Sequence, residues 1–253
     1  MKIALIQAEL IWQDPTANRH MLQELIRKSE ADLVVLPEMF TTGFTMAPGA
    51  FAEDMNGLTI QWMKGLAGEL QIAITGSIII YEAGSYYNRL IFVTPEGHVA
   101  HYDKRHLFTF AGEDKVYTAG TDRLIVEFRG FSICPMVCYD LRFPVFSRYN
   151  GDYDVLLYVA NWPDPRIEAW DLLLRARAVE NLCYTIGVNR TGTDPHNNIY
   201  PGHSAVIDFS GKLLTAGQES TGIISVDISL EPLQDWRNKF GFLEDRDKFE
   251  IRN

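Results

Sequence analysis

The sequence predicts an α/β fold in which two sheets pack on each other and helices cover the outside. Three observations carry this. Apolar runs and helical patterns succeed each other from end to end of the chain. Hairpin turns join the runs as often as helices do, and that mixture argues against a purely parallel doubly wound sheet. The 253 residues, 47% of them hydrophobic and 22% charged, can bury a sizeable core.

Each element has its own signal. Residues 2–7, KIALIQ, read as a strand. DPTANRHMLQELIRKSE (14–30) opens with Asp14 as N-cap and Pro15 in the first turn. Met21, Leu22, Leu25 and Ile26 then share a helical face. ADLVVLPEMF is a buried strand stopped by Pro37, and TIQWMKGLAGEL is a short helix. IAITGSIIIYE and YYNRLIFVTPEGHVAHYDK follow as strands, with Pro95-Glu96-Gly97 turning between two of them. DRLIVEFRGFSICPMVCYD forms a hairpin that turns at Arg129-Gly130, and DYDVLLYVANWP is a strand. RIEAWDLLLRARAVENLC is the most regular helix, with Trp170, Leu173, Leu174 and Ala178 on one face. YTIGVNR, a hairpin in SAVIDFSGKLL turning at Ser210-Gly211, and TGIISVDI come next. The final segment is polar with apolar residues interspersed. No linker, low-complexity tract or repeat divides the chain, so residues 1–253 read as one domain.

Net charge narrows the partners. At −10 the chain is a poor match for nucleic acid or an anionic membrane, both of which attract basic surfaces. A small acidic substrate stays open, because a few local cations can dominate a pocket. No secretion signal is visible: Gln7 and Glu9 break the first apolar run. No stretch approaches the ~18 apolar residues of a membrane helix. Three cysteines, an odd count at low density, fit a reduced cytoplasmic setting.

Cys134 and Cys138 point to one face if both lie on a strand, roughly 13 Å apart at ~3.3 Å per residue. A disulfide needs Cα atoms within about 7 Å, so the two do not pair. C-x₃-C alone supplies two zinc ligands, and no second pair has matching spacing. A buried core thiol is the ordinary fate of a cysteine. Cys138 differs, because an apolar strand leads into it and YDLRFP follows with polar residues and a proline. That puts it at the strand's carboxyl end, where α/β sheets build sites and where a backbone N–H can serve an oxyanion.

Glu38 directly follows five apolar residues, Leu33 to Leu36 and Pro37. An exposed loop glutamate is the simpler reading of that segment alone. Partial burial would raise its pKa toward what a general acid/base needs. Lys104 ends an alternating strand and borders an aromatic loop, where an ordinary solvated lysine competes with one that stabilises an oxyanion. A Glu, a Lys and a Cys, in that order, each just past a strand, are stronger together than any one of them.

These segments resemble a known family. LPEMFTTGF is similar to the glutamate motif of carbon–nitrogen hydrolases of the nitrilase superfamily, YDKRHLF to the lysine motif, and VCYDLRFP to the cysteine motif. YVANWP and RARAVEN resemble the strand and helix that follow, so the likeness runs through nearly the whole chain. It implies a four-layer α-β-β-α sandwich and a catalytic triad of Glu38, Lys104 and Cys138, with no metal or organic cofactor. The backbone N–H of Tyr139 would join Lys104 at the oxyanion. Glu113, nine residues past Lys104, fits the family's second glutamate as an acid/base or positioning group; a surface loop carboxylate is the competing reading. The resemblance also implies a homodimer or larger oligomer, with residues 229–253 as a tail that reaches a second copy.

Within the superfamily the motifs look most like the omega-amidase branch, which hydrolyses the terminal amide of short dicarboxylic acid monoamides such as 2-oxoglutaramate and 2-oxosuccinamate. The substrate carboxylate then needs a cation, and Arg105, Arg142, Arg166 and Arg190 stand near motif ends. Phe44, Phe108 and Trp162 are the candidate pocket aromatics. Asp140 and Arg142 are expected to pin the turn after Cys138 as an ion pair, with direct substrate contact as the rival. Arg175, Arg177 and Glu180 read as structural. Competing functions are another aliphatic amidase or carbamoylase, a non-catalytic binding member of the fold, and a Cys–His hydrolase using His106 or His203.

Overall fold

The computed structural model describes residues 1–215 and 220–251. Its strands are β1 (Lys2–Gln7), β2 (Leu33–Val35), β3 (Ala73–Glu82), β4 (Ser85–Val93), β5 (Val99–Asp103), β6 (Val126–Phe128), β7 (Phe131–Val137), β8 (Val155–Ala160), β9 (Tyr184–Asn189), β10 (Thr191–Thr193), β11 (Ile199–Pro201), β12 (Ala205–Ile207) and β13 (Gly222–Asp227). Its helices are α1 (Pro15–Arg27), α2 (Leu58–Leu70), α3 (Pro144–Ser147), α4 (Ile167–Asn181) and α5 (Leu230–Phe240).

Two sheets share one plan. The first runs β13-β1-β2-β3-β4-β5 and the second β12-β9-β8-β7-β6. Each has three parallel strands at its centre, β1-β2-β3 and β7-β8-β9, and antiparallel strands at both edges. That accounts for the mixture of hairpins and β-to-α steps in the sequence.

Side-chain alternation sorts the first sheet into two faces. Ala4, Ile6, Val34 and Ile74 pack outward against Leu22 and Ile26 of α1 and Met63 and Ala67 of α2. Ile3, Leu5, Leu33, Val35 and Phe92 pack inward into a core shared with the second sheet. Phe92 meets Phe128 there with ring centroids 6.0 Å apart. Trp170, Leu174 and Ala178 of α4 cover the second sheet's outer face. The layers are therefore α-β-β-α. Gly187 of β9 lets α4 approach closely: a Cβ there would lie 2.5 Å from Leu174 Cδ1.

Local signals hold as read. Asp14 caps α1 by accepting from Ala17 N at 2.9 Å, with Pro15 in the first turn. Arg129 and Gly130 both take positive φ at the β6–β7 turn, as a tight hairpin of this hand requires. Two elements were not legible. The β10–β11 ribbon lies in TGTDPHNNIYP, a run of turn residues. Helix α5 lies in the polar final segment, where it buries Leu233 and sends Arg237 to Asp154, Leu182 O and Tyr153 O. The first half of the expected oligomer tail is thus docked on its own chain. Phe242, Phe249 and Ile251 beyond it are exposed, and residues 252–253 of that tail lie outside the described residues.

Candidate active site

Glu38, Lys104 and Cys138 follow β2, β5 and β7, and the two sheets bring these three strand ends together. Proline at 37 cannot donate to the ladder, so the chain leaves the sheet and turns Glu38 inward, where it is wholly buried. Its Oε1 accepts from Lys104 Nζ at 2.9 Å and Asn88 Nδ2 at 2.8 Å. Its Oε2 accepts from the backbone N–H of Asn161 at 2.9 Å, and Asn161 Nδ2 donates to the Glu38 carbonyl at 2.7 Å.

Lys104 is 1% exposed and carries a second carboxylate. Glu113 lies 2.9 and 3.1 Å from its Nζ and also accepts from Phe108 N and Asn88 Nδ2. Glu113 is wholly buried, so the surface-loop reading fails. Burial alone would lower the Lys104 pKa. Glu113 and then Glu38 outweigh it, and the ammonium is held above the ordinary lysine range. Burial pushes Glu113 up; Lys104 opposes that and Glu38 adds to it.

Cys138 starts a 3₁₀ turn, Cys138–Arg142, with φ at +45°. A left-handed conformation at a non-glycine residue costs about 1–3 kcal/mol and persists only where the surroundings enforce it. Burial, then the Glu38 charge, pushes its thiol well above the ordinary range; Lys104 opposes, and a hydrogen bond to Glu38 adds to the rise. Burial beside the Glu38 carboxylate thus favours the thiol over the thiolate. Cys134 lies inside β7 and Cys183 just before β9, both fully buried.

A cleft of about 180 Å³ opens on Cys138 and Glu38. The candidate pocket aromatics Phe44, Phe108 and Trp162 line it, and so do Tyr139, Asn161, Asn198 and Tyr200. Arg142 and Arg166 also face it. The Arg142 guanidinium lies 4.9 Å from the Trp162 ring centroid and the Arg166 guanidinium 5.1 Å from that of Phe108. Among the described residues neither side chain has a carboxylate partner. The other two arginine candidates are elsewhere. Arg105 donates to Thr121 O over the Phe146 ring. Arg190 is fully buried, donates to Leu10 O and Thr191 O, and stacks on Tyr200.

One expectation needs correction. Asp140 and Arg142 do not pair. Asp140 is buried and accepts from Tyr102 OH, Val137 N, His106 N and His106 Nδ1, whereas Arg142 turns to the cleft. Residues two apart in a helical turn point in different directions. Arg177 is structural, as expected: it pairs with Glu180 at 2.9 Å and donates to Leu141 O. Neither histidine serves Cys138. His106 is committed to Asp140, and His203 Nδ1 lies 2.8 Å from Asp171 beside a different cavity.

Asn88 and Asn161 were missed. Asn161 carries the same signal as Glu38, the first polar residue after an apolar strand. Asn88 is a polar residue at an inward position of β4, between Tyr87 and Arg89.

Comparison with known proteins agrees with this geometry. The carbon–nitrogen hydrolase family model matches residues 2–238. Omega-amidase YafV of Escherichia coli is 44% identical over 99% of this chain and 98% of its own length. A 2-oxoglutaramate amidase of Bacillus subtilis is 32% identical over 96% of each. The crystal structure of a CN-hydrolase superfamily protein from Xanthomonas campestris, with an arsenic adduct in its active site, superposes with a TM-score of 0.96 at 43% identity. It covers 100% of this chain and 99% of that one. The chain belongs to the carbon–nitrogen hydrolase family.

Proposed function

We propose that the protein is an omega-amidase: it hydrolyses the terminal amide of short dicarboxylic acid monoamides, 2-oxoglutaramate and 2-oxosuccinamate among them, to the acid and ammonia. One observation carries this beyond family membership. A single small cleft holds a thiol–carboxylate pair and two arginines that, among the described residues, no carboxylate neutralises. The names of the relatives, omega-amidase and 2-oxoglutaramate amidase, support the same reading.

The chemistry runs as follows. The Cys138 thiol passes its proton to Glu38 as sulfur attacks the amide carbon. The new oxyanion is met by the Lys104 ammonium and the Tyr139 backbone N–H. Glu38 gives its proton to the departing nitrogen, ammonia leaves, and a thioester remains on Cys138. Glu38 then takes a proton from water, whose oxygen attacks the thioester, and the proton returns to sulfur as the acid departs. Glu113 is the positioning group that keeps Lys104 charged and aimed. No step requires a metal or organic cofactor. Arg142 and Arg166 hold the distal carboxylate by charge-assisted hydrogen bonds, roughly twice as strong as neutral ones.

Ammonia release from succinamate and glutaramate, compared with butyramide and valeramide, tests the reading. The neutral amides should lose at least ~10-fold in kcat/KM. Equal rates would make the protein an aliphatic amidase with an apolar pocket. No release from any amide would favour a binding role.

The exposed Phe242, Phe249 and Ile251 support one further expectation of this reading, that the C-terminal segment meets a second copy in a homo-oligomer. Sedimentation of the full chain against one with these three changed to Ser tests it.

A further inference from the structure

We propose that His106 is a positioning residue: through Asp140 it fixes the Cys138 turn against the Lys104 loop. Asp140 lies two residues past the nucleophile and His106 two residues past the lysine, so their bond ties the two functional loops directly to each other. Every acceptor position of Asp140 is used. Oδ2 accepts from Val137 N at 3.0 Å and Tyr102 OH at 2.7 Å. Oδ1 accepts from His106 N at 2.9 Å and His106 Nδ1 at 2.7 Å. With the carboxylate accepting, Nδ1 carries the proton.

Two other features fit this role. The imidazole lies flat on Phe143, centroids 3.9 Å apart and 4° from parallel, with its plane nearly perpendicular to that of Phe146 at 5.5 Å. Both rings belong to the segment that follows Cys138, so the histidine holds that segment by stacking as well as by hydrogen bonding. Cys138 itself sits at φ +45°, a backbone state that relaxes unless its neighbours hold it. His106 does not line the cleft, so it acts on the reaction only through what it holds.

The proposal rests on Cys138 as the nucleophile, and its test includes an arm that needs no amide. His106→Phe keeps a flat ring for stacking but removes the Nδ1 donor. His106→Asn loses most of the ring but offers an amide N–H near the place of Nδ1–H. Two rates are read in each variant: kcat for glutaramate and the second-order rate of Cys138 alkylation by iodoacetamide, followed by mass spectrometry. In His106→Phe both should fall about 10- to 100-fold with KM little changed, since a misplacement near 1 Å costs rates of that order. His106→Asn should recover most of the loss. Wild-type alkylation in a folded His106→Phe protein overturns the proposal. So does a folded His106→Asn protein as impaired as His106→Phe. Should the Phe variant fail to fold, Tyr102→Phe removes a donor from the other oxygen, and undiminished alkylation there overturns it equally. A protein inert toward every amide but with His106-dependent alkylation keeps the latch and loses the substrate assignment.

Discussion

Glu38 on the cleft floor, and Lys104 and Glu113 directly beneath it, are at most 1% exposed, whereas Arg142 and Arg166 on the cleft wall stay half-exposed against aromatic rings. On the floor each charge has an opposite charge within 3 Å. On the wall the two cations lean on π-faces and have no anion among the described residues. A buried charge without a partner costs several kcal/mol, so floor charges must arrive already paired. Wall charges keep water and can wait for a ligand. On the proposed function, the floor would carry out the chemistry on any amide and the wall would choose which amide.

The largest effects should come from breaking the floor. Cys138→Ala should abolish turnover in a folded protein, and Cys134→Ala, four residues earlier inside β7, should keep most of it. Comparable loss from both, with melting temperatures unchanged, would move the nucleophile off the strand end. Glu38→Gln comes next. The amide is nearly isosteric but cannot carry a proton, so steady-state turnover should collapse and any thioester formed should persist. Intact-mass spectrometry after substrate addition should show acyl adduct on the variant. Normal turnover would remove Glu38 from the mechanism.

Glu113→Gln probes how the floor holds its cation. Glu113 is the larger of the two anions that raise Lys104, and burial acts the other way. Removing it lowers the lysine pKa, so the neutral amine appears at a lower pH than in the parent. The alkaline limb of the kcat/KM profile should shift to lower pH. At neutral pH the loss should be about 100-fold, the order expected for a weakened oxyanion donor. An unmoved alkaline limb would reduce Glu113 to a packing residue.

Floor and wall also differ in how legible they were. Glu38 and Cys138 were readable because each is the first polar residue after an apolar strand, a break in pattern that chain order alone reveals. Lys104 gave a weaker signal, a lysine at the end of the alternating strand β5 beside an aromatic loop, and the fold followed from strand and turn signals that are local. The wall was only partly readable. Phe44, Phe108 and Trp162, singled out from the sequence, line the cleft. Arg142 was assigned to Asp140 on adjacency, yet Asp140 goes inward to Tyr102 and His106. Asn198 and Tyr200 reach the cleft on a ribbon that reads as turn residues, and Asn88 meets Glu38 and Glu113 only after β4 is placed in its sheet. Such contacts depend on which distant loops meet, and no local period encodes that.

The smallest predicted effects belong to the wall. Arg142→Gln and Arg166→Gln should each reduce kcat/KM for glutaramate about 10-fold, the worth of roughly 1.4 kcal/mol of charge-assisted binding at the transition state. Each loss is modest because the other guanidinium remains. The double variant should lose more than the product of the two, because in it no guanidinium is left to hold the carboxylate. Butyramide separates this from damage to the floor. Its rate should be unchanged in both single variants, because it offers no anion to lose. Arg142→Lys refines the point: it keeps the charge but loses the flat guanidinium that stacks on Trp162, so partial recovery is expected. Equal losses on glutaramate and butyramide would mean that Arg142 shapes the cleft by covering Trp162, and the division between a chemical floor and a selective wall would fail at that residue.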